Sequence, residues 1–338
     1  MKQTNQPNQP NQPNQIDDLI IQVLKNSKDG FVSGQSLSNR IGITRAAVWK
    51  HIEGLRGEGY IIVSTPSRGY KLIEIPDRLS AVGIKQGIKT RVIGKEIVVC
   101  DEVNSTNDAA MEKGAQGEKE GLVVIADSQL HGKGRLGRTW ISPKGVNLYL
   151  SVLLRPEFPP LQAPALTMMA SVAVAAAIAK TTGLDARIKW PNDILIDQKK
   201  ISGILTEMNA EEERIHYVVI GVGINVNMKK EDFPEGLRMP ATSLMESLGR
   251  RVDRTELLYT LLESMDSNYE GLKMKGIVSM VQEWRRLCST LHKRVRVSLP
   301  GEVITGVAED ITQEGGLVVR IGEGLTKKVY AGDVTLLE

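Results

Sequence analysis

The chain has 338 residues, 41% of them hydrophobic and 25% charged, a globular composition whose length favours two or three domains over one. A net charge of only +3 excludes a uniformly basic surface, so any nucleic-acid contact must come from local clustering. Two distant cysteines (Cys100, Cys288) and four scattered histidines (His51, His131, His216, His292) exclude a disulfide framework, a zinc site and an H-x-x-x-H metal pair, and suit a reducing cytoplasm.

The opening segment, MKQTNQPNQPNQPNQ, repeats Asn-Gln-Pro and holds no apolar residue pattern that could offset the entropy of folding, so residues 1–15 are expected to be a disordered tail. It also lacks the apolar stretch of a secretory signal. From Ile16 the pattern turns helical, with Ile16, Leu19, Ile20, Val23 and Leu24 at i, i+3, i+4, i+7 and i+8, which predicts a helix of about 11 residues. The next stretch predicts a short helix around Leu37 to Ile41, a turn at Gly42, Thr44 as N-cap and a second helix to about Arg56. Val48, Ile52 and Leu55 mark the buried stripe of that helix, leaving Arg45, Trp49 and Lys50 on other faces. YIIVST and GYKLIE then form a hairpin wing around PSRG, completing a winged helix-turn-helix over 16–78.

Between Arg40 and Lys71 there are six Lys or Arg against two Glu, so the basic cluster sits on this unit and the rest of the chain is close to neutral. Such a patch neutralises phosphates, and the exposed N-terminal face of the second helix suits a major groove. Thr44, Arg45, Trp49, Lys50, His51 and Arg68 are the expected DNA contacts; the alternative is a protein-interaction module with a solvated basic face.

PDRLSAVGIKQGI reads as a linker into a second domain, 79–285. There β-rich runs (EIVVCDEV, GLVVIADSQ, NLYLSVLLRP, ARIKWPNDILID, KKISGILTEM, HYVVIGVGINVN) alternate with helical segments around Thr106 to Lys113 and Leu161 to Thr182, predicting a mixed α/β sheet. The apolar run LTMMASVAVAAAIA is 14 residues, short of the roughly 20 a membrane span needs, and is expected to be a buried helix. RTELLYTLLESMDSNYEGLK adds another helix. From about Leu291, four or five short strands predict a small β-barrel, 286–338.

The stretch HGKGRLGRTW holds Gly132, Gly134 and Gly137 in G-x-G-x-x-G order, with Lys133, Arg135 and Arg138 between and after them. A dinucleotide fingerprint must open a helix, and TWISPKGVNLYLSVLL, with Pro143 and Gly145 before β-type alternation, does not. It is not a Walker A loop either. What remains is a glycine loop with three cations, either a solvated hairpin or a cover for a polyanion.

Other segments decide between them. In order along the chain, S-T-N (Ser105 to Asn107), G-x-G-R-x-G-R-x-W (Gly132 to Trp140), K-W-P-N-D (Lys189 to Asp193), K-x-x-G-I-L (Lys200 to Leu205) and G-x-G-x-N-x-N (Gly221 to Asn227) resemble the biotin protein ligase family. With the leading winged helix the chain resembles the members that are also repressors. One departure is Lys133, where many members carry Arg; charge is kept and bidentate geometry is lost.

The resemblance implies an α/β multidomain chain: winged helix-turn-helix, a class II synthetase-like ligase domain and an SH3-like barrel. It implies ATP with Mg²⁺ and biotin as substrates, biotinyl-5′-AMP as intermediate and corepressor, and transfer of biotin to a lysine of a carboxylase carrier domain. Partners would be that carrier, operator DNA and, with adenylate bound, a second copy of the chain; no membrane and no resident metal are expected. Lys200 is the first catalytic candidate, with Arg135, Asp193 and Lys189. Ser105, Thr106, Asn107, Gln129, Gly132, Lys133, Gly203, Gly221 and Gly223 fall to biotin, and Arg138, Trp140, Asn192, Ile224, Asn225 and Asn227 to the nucleotide side. Trp140 is weighted toward a loop anchor, and no adenine-stacking aromatic is assigned, since the region after Asn227 holds only Phe233. Rival expectations are a lipoate-type ligase, an inactive ligase domain sensing a ligand, and a ligase without repression.

Overall fold

The structure is a computed structural model that describes residues 13–27, 30–57, 60–74 and 79–337; the repeat as far as residue 12 lies outside them. The chain divides into two compact units, Met1–Asp77 and Arg78–Glu338.

In the first unit, α1 (Pro13–Lys25) begins three residues before the apolar pattern does, at a proline, whose fixed φ suits a first helical turn. The tail expected over 1–15 therefore gives way to helix at Pro13. Helix α2 (Gly34–Ile41) is capped by Ser33 and stopped by Gly42, whose φ of 78° is left-handed. Helix α3 (Arg45–Gly57) starts after Thr44, whose Oγ1 accepts from the Ala47 N–H at 3.2 Å. Strands β1 (Ile61–Thr65) and β2 (Gly69–Glu74) form the antiparallel wing. Val48, Ile52 and Leu55 are buried with Ile20, Leu24 and Leu37 in one small core, as the helical spacing predicts.

The second unit opens with α4 (Ala81–Gly87) and β3 (Glu96–Val103), then α5 (Thr106–Ala115), β4 (Leu122–Gln129), β5 (Leu148–Leu154), α6 (Pro164–Thr182), β6 (Arg187–Lys189), β7 (Asp193–Ile196), β8 (Lys199–Ala210) and β9 (Ile215–Ile224). The seven strands form one sheet in the order β3-β4-β5-β9-β8-β7-β6, parallel between β3 and β4 and antiparallel elsewhere. ARIKWPNDILID, one β-rich run in the sequence, folds into two strands at a corner with a cis Trp190–Pro191 peptide. The turn to β8 uses Asp197 and Gln198, both with positive φ (48° and 62°), the two-residue geometry that matches strand twist.

Period-two alternation sends β5, β8 and β9 side chains to opposite faces. Leu148, Leu150, Val152, Ile204, Val218, Ile220, Val222 and Ile224 join the main core beneath α6, α8 (Arg254–Lys275) and α9 (Ile277–Leu287). Each such residue fully buried contributes about 1.5–3 kcal/mol. The other face carries α5, with Ala110, Val124, Leu153, Tyr217 and Val219 in a second cluster. Helix α6 is 19 residues long, beyond the 14-residue apolar run; it is long and apolar enough to cross a membrane, but most of it is buried inside this unit, which makes it a core helix.

A short α7 (Leu244–Leu248) precedes α8. The C-terminal strands β10 (Arg294–Leu299), β11 (Glu302–Ile311), β12 (Leu317–Gly322), β13 (Leu325–Val329) and β14 (Asp333–Leu336) form an antiparallel sheet in the order β13-β12-β11-β10-β14. Trp190 ties it to the seven-stranded sheet: its backbone N–H donates to Thr290 Oγ1 and its indole N–H to the Gly315 carbonyl, both at 3.0 Å.

Candidate functional site

The face of the sheet shared with α5 is kept low by glycine. Gly203 on β8 and Gly221 and Gly223 on β9 stand where other positions carry branched side chains. A Cβ at Gly221 would collide with Asn107 Oδ1, and one at Gly223 would lie 2.6 Å from the Trp140 indole. Over these glycines opens a cavity of about 140 Å³, lined by Ser105, Thr106 and Asn107 at the start of α5, Gln129 on β4, Lys133, Arg135, Arg138 and Trp140 from the loop, and Asn192, Asp193 and Lys200 from the β7 and β8 ends.

The loop is a tight hairpin. Gly134 N–H donates to the Arg138 carbonyl at 2.6 Å, Trp140 N–H to Gly132 O at 2.7 Å, and Leu136 sits exposed at the tip with φ 57°. No helix follows Gly137; β5 does, so the dinucleotide pattern is a coincidence of spacing. Gly132 lies beneath the hairpin, against Trp140 O and Gln129, and does not line the cavity itself.

Its cations are already engaged. Arg135 is mostly buried, donates to Asn192 Oδ1 at 3.1 Å, and burial pulls its pKa down. Lys133 pairs with Asp108, which raises its pKa. Arg138 grips Asp333 on β14 through both terminal guanidinium nitrogens, and Arg238 pairs with the same carboxylate. Asp333 is held well below the usual carboxylate range, first by its hydrogen bond from Arg138. Lys200 Nζ lies 2.6 Å from Asp193 Oδ1 and 5.3 Å from the Trp140 ring centroid. Lys189 is pushed down by burial, opposed by the charge of Asp193.

A second cavity, about 510 Å³, adjoins the first and shares Arg138, Thr139, Trp140, Lys189, Asp193, Lys200, Asp333 and Val334 with it; its far wall is Phe233, Leu237, Arg238, Met239 and Pro240. Trp140 thus stands between the cavities, its ring on Gly203 and Gly223 and its buried Nε1 without a partner among the described residues. It is pocket wall as well as loop anchor. Phe233 is the second cavity's other aromatic, besides Trp140.

Two residues expected on the nucleotide side, Ile224 and Asn227, line neither cavity. Ile224 has the opposite parity to Gly221 and Gly223 on β9 and is buried in the helix-side core. Asn227 lies past the strand and exchanges hydrogen bonds with Val252 at 2.9 Å, lining neither cavity. Asn225 lines the second cavity, its amide donating to Thr242 O. Asp333 and Arg238, which the motifs do not include, complete the site.

In the winged unit, Thr44, Arg45, Lys50 and Arg68 are exposed and Trp49 is 57% exposed. Arg68 stacks 4.2 Å above the Phe31 ring. His51, also expected at the DNA, has its Nδ1 2.8 Å from Asp17 Oδ1 on α1, so one ring nitrogen is already engaged.

The site is a glycine-floored double cavity under a basic hairpin, and the chain carries a winged helix as its other compact unit. Residues 99–225 match the Biotin/lipoate A/B protein ligase family, 18–71 an HTH domain and 290–337 the Biotin protein ligase C terminal domain. The chain is 39% identical to the bifunctional ligase/repressor BirA of Bacillus subtilis, covering 94% of this chain and 97% of that one, and 30% identical to its Escherichia coli counterpart, covering 94% and 96%. The biotin protein ligase of Aquifex aeolicus in complex with biotin and ATP superposes with a TM-score of 0.62 at 30% identity, over 72% of this chain and 99% of that one. The chain belongs to the family of bifunctional biotin ligase/repressors.

Proposed function

We propose that this protein joins biotin to ATP and passes it to a lysine of a carboxylase carrier domain, and that the adenylate-loaded form represses biotin genes. The observation that carries the reading is Lys200 at the junction of two cavities, one sized for a small polar head and one larger and walled by Phe233, with Trp140 between them. Biotin's carboxylate would meet ATP's α-phosphorus at that junction. A carboxylate oxygen bonds phosphorus as pyrophosphate leaves; then the carrier amine attacks the acyl carbon, AMP leaves, and the amine sheds a proton.

Both partners in the first step are anionic, so the chain's task is positioning and neutralisation. Lys200, Arg138 and Lys189 stand at the junction, and Arg135 adds charge from the wall of the smaller cavity. Asp193 holds Lys200 in place until the substrates arrive. Magnesium would enter with ATP. The floor residues Ser105, Thr106, Asn107 and Gln129 offer hydroxyl and amide groups suited to a cyclic urea. In the cytoplasm, the adenylate would order the loop and favour a dimer whose paired winged helices span two operator half-sites, with Arg45, Lys50 and Arg68 on phosphates or bases and Trp49 beside them.

The test is to mix the protein with ATP and labelled biotin or lipoate, then measure carrier labelling and operator binding with and without ligands. Carrier biotinylation with biotin-dependent DNA binding is expected. No transfer ends the ligase half, and ligand-independent or absent DNA binding ends the repressor half.

A further inference from the structure

The wing is fastened to the chain just ahead of α2. Val32 and Tyr70 exchange backbone hydrogen bonds of 2.8 and 2.9 Å, an antiparallel bridge outside the wing's own ladder. Gly69 makes that approach possible: its φ is 97°, and a Cβ there would lie 2.2 Å from the Val32 carbonyl oxygen. The bridge carries Phe31 up against the wing. At the wing turn, Arg68 N–H donates to the Thr65 carbonyl at 3.2 Å, and the Arg68 guanidinium carbon lies 4.2 Å from the Phe31 ring centroid. Lys71 Nζ, on β2, is 5.7 Å from the same centroid. Phe31 is half-buried, yet it belongs neither to the winged unit's core nor to the apolar residues packed against that core. Its ring serves the wing's cations instead.

Arg56 and His51, from the same basic cluster, already have partners: Arg56 donates to Glu53 and to the Ile62 carbonyl, and His51 faces Asp17. Arg68 is exposed and, among the described residues, has neither an ion pair nor a side-chain hydrogen bond. Stacking covers only the flat face of a guanidinium, whose five N–H donors lie in its plane. Arg68 is thus oriented while its hydrogen-bonding capacity is unused.

We infer that Phe31 is a positioning residue for DNA: its ring holds the Arg68 guanidinium at the wing turn as a preset, bidentate contact for one backbone phosphate, so operator affinity depends on Phe31 through Arg68. Orienting the cation before the duplex arrives lowers the ordering cost that a flexible arginine meets on binding. The inference rests on the repressor reading and adds to it a residue outside every helix and strand, absent from the expected DNA contacts.

The experiment is duplex binding by the full chain loaded with biotin and ATP, read by anisotropy at several salt concentrations. The probe is a labelled duplex that the wild-type chain selects from a random-sequence pool. Phe31→Leu, Phe31→Tyr, Arg68→Ala and the double variant Phe31→Leu/Arg68→Ala are compared, with thermal midpoints and biotin adenylation as folding controls. Arg68→Ala is expected to weaken binding at least about tenfold, as loss of a charge-assisted hydrogen bond does, and to lower the salt slope by about 0.9. Phe31→Leu should weaken binding about two- to fivefold with the slope unchanged, because the charge still reaches the phosphate without its ring. Phe31→Tyr, which keeps the ring, should bind like wild type. In the Arg68→Ala background Phe31→Leu should have no further effect. The same loss from Phe31→Leu in both backgrounds, no loss from Phe31→Leu, or an unchanged salt slope in Arg68→Ala would overturn the inference and leave the repressor reading intact. A wild-type chain that selects no duplex overturns both.

Discussion

Lys200 is held by a carboxylate on one side and an indole face on the other, so its ammonium is in place before any phosphate arrives. Removing one preorganised charge of this kind costs on the order of 100-fold in rate. Lys200→Ala should therefore lower biotinyl-adenylate formation by at least about 100-fold, read as pyrophosphate release; a wild-type rate in that variant would refute the role. Lys189 has a different energetic signature. Burial depresses its pKa below the ordinary 10.5, so above the folded value and up to 10.5 the unfolded chain binds more protons than the native one. The unliganded protein should gain stability as pH rises through that window. Lys189→Met should remove that part of the slope, measured by denaturant titration at several pH values.

The strands show what alternation reveals and where it ends. GVGIN already places Gly221 and Gly223 on one face and Ile224 on the other, so the burial of Ile224 was readable from parity alone. The two-residue turn at Asp197-Gln198 and the buried stripe of α3 were equally legible, because local geometry decides them. Helices α7 and α9 were not marked: α7 is a single short turn, and α9 follows α8 after one glycine with no polar loop to separate them. At Gly221 the fit is set by an Asn107 side chain that cannot retreat. Gly221→Ala should cost about 1–3 kcal/mol of stability and weaken biotin use at least tenfold, checked by thermal melts and by the KM for biotin. Gly223→Ala should be milder in stability, since its neighbour is the one-sided Trp140 indole.

Across the whole chain, the motifs located most of the cavity walls but not the residues that tie distant segments together. Asp333 lies 195 residues from Arg138 and 95 from Arg238, and no local pattern announces a carboxylate shared by two loops. Chemistry supplied by short motifs can be read; pairing set by tertiary folding must be seen. The winged unit, with its own small core, carries the basic cluster separately from the ligase sheet. Arg45→Ala should weaken operator binding and, if Arg45 meets a phosphate, lower the salt-dependence slope by about 1 without changing the KM for biotin. The four tryptophans divide in the same way: Trp190 and Trp284 are sealed in the ligase unit, Trp49 is exposed on α3, and Trp140 stands between two cavities. Intrinsic fluorescence is therefore a two-channel reporter. Ligand occupancy is expected to alter emission from Trp140 and DNA to quench Trp49, and single Trp→Phe replacements would separate the two signals in an unlabelled protein.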